Sequence, residues 1–271
     1  MAGQGTSHIR RIIFMKKFIT VLSLVLWSLV SLANPIDDNC PQYAAFGAPV
    51  SLVPPNQGQY MCKTGYALHY VYNNKLSEYA VEKVTRESIA GKNPRKDEFR
   101  EDPEVPIQYR ATLKDYIGSG YDRGHMAPAA DLNSSAKAMS ESFFLSNMMP
   151  QVPGNNRGIW KYAETYTRSW ADAFGEIYVV TGTILDNNSK EIGAGVRVPS
   201  FMYKIVYVPS TNQSISFLFP NEKLPVEDIP KYIVTIHDIE RYTGLTFLPK
   251  LAVNLQPVKG IKANWKEWAG Q

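Results

Sequence analysis

The sequence predicts a mixed α+β fold in which strands flank a central helix. Three patterns lead there. Residues 66–72 and 77–84 alternate in a strand-like manner on either side of Asn73-Asn74, as a β-hairpin does. Ile159, Ala163, Tyr166, Trp170 and Phe174 recur at steps of three or four, which puts them on one face of a helix over 156–174 that Gly175 stops. Beyond it, 177–185, 200–208 and 214–219 read as core strands.

The N-terminus stands apart from this pattern. Arg10, Arg11, Lys16 and Lys17 precede an uncharged stretch over 18–30, and Ser31-Leu32-Ala33 supplies small residues at cleavage positions. The expectation is a secretory signal peptide over 1–33, cut between Ala33 and Asn34, with Met15 as an alternative start. The competing reading is an uncleaved anchor, for which the apolar centre is short. A mitochondrial presequence is disfavoured, since those are amphipathic with distributed arginine. Export to periplasm or medium follows, without stable membrane association after cleavage. The leader contains no Asp or Glu, so losing its four basic residues from 29 leaves 25 against 25 acidic. A net-neutral mature chain excludes binding a polyanion by global charge; a local basic cleft and a metal ion would have to serve.

From 34 onward the elements follow in order. Residues 34–60 are rich in Pro, Asn and Gln and read as an extended arm, bounded near 64. Cys40 and Cys62 are an isolated pair, which in an oxidising compartment favours one disulfide worth on the order of 3 kcal/mol. Two unrelated thiols are the alternative. Neither lies in C-x-x-C, and no Cys/His cluster suggests structural zinc. After the hairpin, 92–106 is a polar, Pro-bounded loop, 134–144 a short helix and 226–242 a late helix following Pro225. No repeat or linker interrupts 34–271, which is compatible with a single domain.

The chemistry concentrates in 122–132, DRGHMAPAADL. His125 is an imidazole whose ordinary pKa near ~6.5 suits proton acceptance at neutral pH. Arg123 offers a planar fork of donors for phosphate oxygens, and Gly124 permits backbone geometry that other residues resist. Those three alone could equally be an ordinary turn with a satisfied surface histidine. The wider string, Asp-Arg-Gly-His then Met-Ala-Pro, resembles the signature of the non-specific DNA/RNA endonucleases, a ββα-metal family with secreted bacterial and mitochondrial members. A second block, LSNMMPQVPGNNRGIWKYAE over 145–164, carries that family's Ser-Asn, Pro-Gln, Asn-x-Gly-x-Trp and Glu in the same order.

The resemblance implies a sheet with helices on both sides and a ββα-metal, or His-Me finger, site. It makes His125 the general base and Asn156 the sole direct protein ligand to Mg²⁺, with Mn²⁺ able to substitute. One amide suffices for an ion that retains its waters. Glu164, eight residues on, would be rotated by about 80° and raised by about 12 Å along an ideal helix, so it is assigned a metal-bound water rather than the ion. Arg123 lies beside the base. Arg95 best matches a further family arginine that stabilises the transition state, with Arg100 or Lys96 as alternatives. Asn147 helps order the site. Asp122 is expected to fix its loop or a neighbouring Arg, and surface positions are assigned to His69 and His237. The expected activity is an exported, Mg²⁺-dependent endonuclease that cleaves single- or double-stranded DNA and RNA to 5′-phosphate products. The rivals are a phosphodiesterase of small nucleotides and a non-catalytic secreted nucleic-acid-binding module. Oligomeric state stays open, a homodimer included.

Overall fold

Strands that are apolar at nearly every position must be covered on both faces, and the central sheet is built that way. The computed structural model describes residues 34–251 and 256–257, all within the unit Ala33–Gln271; the expected leader lies outside them. Twelve strands are present among the described residues: β1 Gly58–Cys62, β2 Ala67–Val71, β3 Leu76–Thr85, β4 Asp122–His125, β5 Met148–Gln151, β6 Glu176–Ile184, β7 Glu191–Ile192, β8 Val196–Arg197, β9 Phe201–Val208, β10 Gln213–Pro220, β11 Ile233–Val234 and β12 Gln256–Pro257. The main sheet runs β1-β2-β3-β6-β9-β10-β11, with β12 beside β10. Its pairings are antiparallel except β10 with β12, which makes the sheet mixed. The helices are α1 Pro35–Asn39, α2 Arg86–Ile89, α3 Leu113–Tyr116, α4 Ala136–Glu141, α5 Lys161–Phe174 and α6 Ile236–Thr243. None in the described residues is long and apolar enough to cross a membrane.

One sheet face packs Val84, Val179, Val206 and Phe217 against Trp160, Ala163 and Trp170 of the α5 region. The other packs Val81, Val180, Tyr203 and Ile205 under Ile36, Ala44 and Ala48 of the arm and Ile239 and Phe247 near the C-terminal end. The arm is therefore a second apolar layer. It begins as the short α1 rather than extended chain, because Asn34 caps it by accepting from the Ile36 N–H and Pro35 fits its first turn. The Cys40–Cys62 disulfide fastens it to β1.

The hairpin forms where expected, with Tyr72–Asn74 as a tight turn and Lys75 in the left-handed region at φ 46°. The 92–106 segment is a loop, and the 134–144 helix is confined to α4, capped by Ser135. Two helices differ from expectation. The 156–174 helix is broken at Gly158 (φ −107°, ψ −114°), inside a wide-turned segment, Asn155–Trp160, that leads into α5. The 226–242 helix is split as well. Pro230, lacking an N–H, leaves only a tight Val226–Tyr232 turn, and α6 starts afresh at the Thr235 cap. His69 is also corrected. It is buried inside β2, with Nδ1 2.9 Å from the Glu78 carboxylate and its ring stacked on Tyr60 at 4.2 Å. His237 does lie at the surface.

Closing a loop across 22 residues constrains the unfolded chain by about 3 kcal/mol. Cys40→Ala/Cys62→Ala should lower unfolding free energy by that order, read from the denaturant midpoint of an oxidised sample. An unchanged midpoint would show that the arm is held by packing alone.

Candidate active site

The two motif blocks meet as a ribbon. β4 pairs antiparallel with β5 in the register Asp122↔Gln151, Arg123↔Pro150, Gly124↔Met149 and His125↔Met148. Gly124 is required by closeness rather than by dihedral angle, since a Cβ there would fall 2.0 Å from Gln151 Oε1. Past the ribbon, Asn147 clamps the chain that follows the histidine. Its Oδ1 accepts from the Ala127 N–H, and its Nδ2 donates to the carbonyls of Ala127 and Ser142. This fully buried amide is committed to backbone, so it orders the site.

His125 is 8% exposed, and its Nε2 is buried without a hydrogen-bond partner. Burial pushes its pKa down to about 3; Arg95 deepens that shift, Asp97 opposes it, and Arg123 adds a smaller lowering. The ring is thus neutral throughout the neutral range, rather than an ordinary imidazole half-charged near ~6.5. Its neighbours are Phe143 (5.1 Å, edge-on) and Phe99 (5.9 Å, tilted). Arg123 stacks over Phe99 at 4.3 Å and Arg95 over Phe143 at 5.0 Å. The half-exposed Arg95 also pairs with Asp97 at 2.7 Å. Arg100 is occupied elsewhere: it stacks on Phe144 at 4.1 Å and donates to Ser140 and to the Glu98 carbonyl. Lys96 lines a groove with Asn93, Pro94 and Ser140. Arg95 is the cation of this loop that acts on His125.

Asn156 enters through Asp122. Its Nδ2 donates to Asp122 Oδ2 at 2.9 Å, and Arg157 donates to both oxygens of the same carboxylate at 2.8 and 2.6 Å. The arginine that Asp122 fixes is therefore Arg157, not Arg123. A carboxylate only accepts, so the amide nitrogen must face it and Oδ1 is turned away. Burial raises Asp122, but the bonds from Arg157 and Asn156 outweigh it and hold the group below the usual carboxylate range.

Comparisons place this geometry. A family model described as DNA/RNA non-specific endonuclease matches residues 48–254. The chain belongs to that family. Nuclease C1 of Cunninghamella echinulata var. echinulata is 35% identical over 210 residues, 71% of this chain and 83% of that protein. Human mitochondrial endonuclease G is 33% identical over 231 residues, covering 78% and 77%. Mouse mitochondrial nuclease EXOG is 33% identical over 207 residues, but the chain spans only 56% of it. The solved structure of an EndoG/EndoGI complex superposes with a TM-score of 0.72 at 29% identity, over 81% of this chain and 95% of that one. The enzyme class is thus a nuclease of a family that uses divalent metal. The expectation of an exported protein is corrected: the matching relatives include endonuclease G and EXOG, both named as mitochondrial, and the residues read as a leader lie outside those described.

In this family member, Glu164 sits over a buried charge cluster that the sequence reading passed over. Glu164 is half-buried, and burial raises its pKa to about 7; Lys204 opposes the rise most strongly and Asp131 adds to it. Lys204 is fully buried on β9, donates to Thr181 Oγ1 at 2.6 Å and lies 5.2 Å from the Trp160 ring centroid. Arg168, one turn after Glu164, bonds the buried Asp131 at 2.9 Å. Glu82 completes the group, with both oxygens buried and unpartnered. Burial, then Asp131, holds its carboxyl well above the usual range. A signal was available for one member: Lys204 is a charge inside the otherwise apolar strand run FMYKIVYV.

Because burial holds the Glu82 carboxyl well above its ordinary value near ~4.3, folding takes up a proton as pH rises past that value. The cost grows as pH rises from that value. Glu82→Gln removes the uptake. Its melting temperature should match the parent near pH 4 and exceed it by on the order of a few degrees at pH 8. A gap that narrows with rising pH would place an ionised carboxylate at this position.

Proposed function

We propose that this chain is a Mg²⁺-dependent endonuclease that hydrolyses DNA and RNA, single- or double-stranded, without base preference and with 5′-phosphate products. The observation that carries it is a neutral, unpartnered imidazole between two guanidinium groups, on the same short strand whose Asp122 orients Asn156. His125 accepts the proton of the attacking water. A bound phosphodiester brings negative charge beside the ring, opposing the arginines and raising its basicity when the proton must move. Arg95 and Arg123 supply fixed positive charge to the transition state.

The residues present fit a magnesium ion. Asn156 has its Oδ1 free of Asp122, and among the described residues no group of three or more His, Cys, Asp or Glu could hold a metal. A single amide oxygen suits an ion that keeps most of its water shell, and Glu164 would hold one of those waters. Such an ion supplies charge neutralisation to a phosphate oxygen and to the leaving group; Mn²⁺ would serve in its place. These contacts address phosphate and not base edges, which accounts for indifference to sequence. Water as nucleophile accounts for indifference to the sugar.

Purified protein should nick supercoiled plasmid and degrade RNA, stop in EDTA, and leave 5′-phosphate ends. A nicked circle excludes a phosphodiesterase restricted to small nucleotides. His125→Ala should lose about 10²–10⁴-fold in rate with nucleic-acid binding retained. Cyclic 2′,3′-phosphates from RNA, together with inert DNA, would mean a ribonuclease and defeat the proposal.

A further inference from the structure

A histidine base is commonly oriented by a carboxylate, but among the described residues the His125 side chain makes no ion pair or hydrogen bond. What touches the ring is aromatic. Phe143 meets it edge-on at 5.1 Å and 87°, Phe99 at 5.9 Å and 57°, and the two phenyls meet each other at 5.0 Å and 90°. Arg95 lies over Phe143 and Arg123 over Phe99, so five side chains form one continuous cluster. The phenyls come from segments that are themselves locked together. The Arg100 N–H donates to the Phe143 carbonyl at 3.2 Å, and the Leu145 N–H to the Arg100 carbonyl at 2.9 Å. Phe143 is fully buried, while Phe99 is half-buried and packs against the cluster that includes Tyr116 and Met148.

We propose that Phe99 and Phe143 are positioning residues that fix the orientation of the His125 ring and hold Arg123 and Arg95 beside it. The proposal rests on His125 being the base. Aromatic edges and faces impose geometry through the ring quadrupole, and each also gives a guanidinium a seat. A carboxylate in the same place would orient the ring too, but it would favour the charged imidazolium. An aromatic frame orients without that penalty and leaves the ring in its proton-accepting form. The charged groups acting on the ring are Arg95 and Asp97 from the loop and Arg123 from β4. The segment after α4 presents Phe143, and β5, with sequence MMPQ, carries no titratable side chain.

The test compares Phe143→Leu, Phe99→Leu and Phe99→Tyr with the parent, by NMR titration of the His125 ring without substrate or metal and by pH profiles of plasmid cleavage. Phe143→Leu should raise the His125 pKa from its depressed value toward the ordinary ~6.5. It should move the acid limb of kcat/KM into the pH 5–7 range, where the parent stays flat. Its kcat should fall by about 10²-fold, the scale of a misplaced catalytic group, with KM nearly constant. Phe99→Leu should shift in the same direction by less, and Phe99→Tyr, which restores a ring, should recover the parent profile. If Phe143→Leu does not fold, the two variants at the half-buried Phe99 carry the comparison. A lower kcat with His125 titration and acid limb unchanged in the leucine variants would show a merely structural role and overturn the proposal. Normal turnover in His125→Ala would instead remove the base assignment beneath it.

Discussion

Four residue pairs hold the site together. The β4–β5 ribbon joins segments more than twenty residues apart and fixes them in one register, Asp122 opposite Gln151 through His125 opposite Met148. Side chains of a strand alternate in direction, and β4 uses both directions. Arg123 and His125 go to the aromatic cluster, whereas Asp122 reaches Asn156 and Gly124 makes room for Gln151. A slip of one residue would exchange those roles. Asn147 then secures the exit of the strand, bonding Ala127 on both its N–H and its carbonyl.

Charge is arranged in two tiers around this ribbon. Near the base, positive groups and burial keep His125 neutral. Glu82, Asp131 and Glu164 share the layer between α5 and the sheet with Lys204 and Arg168, and burial holds Glu82 well above the usual carboxylate range. Buried polar clusters of this kind add little to stability compared with well-packed apolar residues. The break at Gly158 belongs to the same design, because it frees the Asn156 turn from the axis of α5, which carries Glu164.

Much of this was legible in the chain, and the rest was hidden for identifiable reasons. Alternation about Asn73-Asn74 gave the hairpin, and the apolar runs gave β6, β9 and β10, since a strand covered on both faces must be apolar throughout. His125 and Asn156 were singled out from motif order alone; His125 lies on the ribbon and Asn156 bonds Asp122 at its start. The Gly158 break was invisible because apolar spacing continues through it, and Pro230 was overlooked inside a long amphipathic stretch. The partner of Asp122 lies 34 residues away, and the phenyl frame joins three segments, so neither has a local signature. His69 misled because strand alternation suggested an open face that Tyr60 and the Glu78 carboxylate in fact fill. The N-terminal pattern was read as an export leader on composition alone, and relatives named as mitochondrial overturned that.

The central claim is that Asp122, by holding the amide nitrogen of Asn156, presents the amide oxygen to a metal ion. Calorimetric titration of Mg²⁺ into Asp122→Ala tests it most directly, with Asn156→Ala as the reference for a lost ligand. Loss of such an outer partner commonly costs about 10–100-fold in metal affinity, and that weakening is predicted here with thermal stability and His125 titration little changed. Mg²⁺ binding equal to the parent in Asp122→Ala, alongside clear loss in Asn156→Ala, would contradict the account.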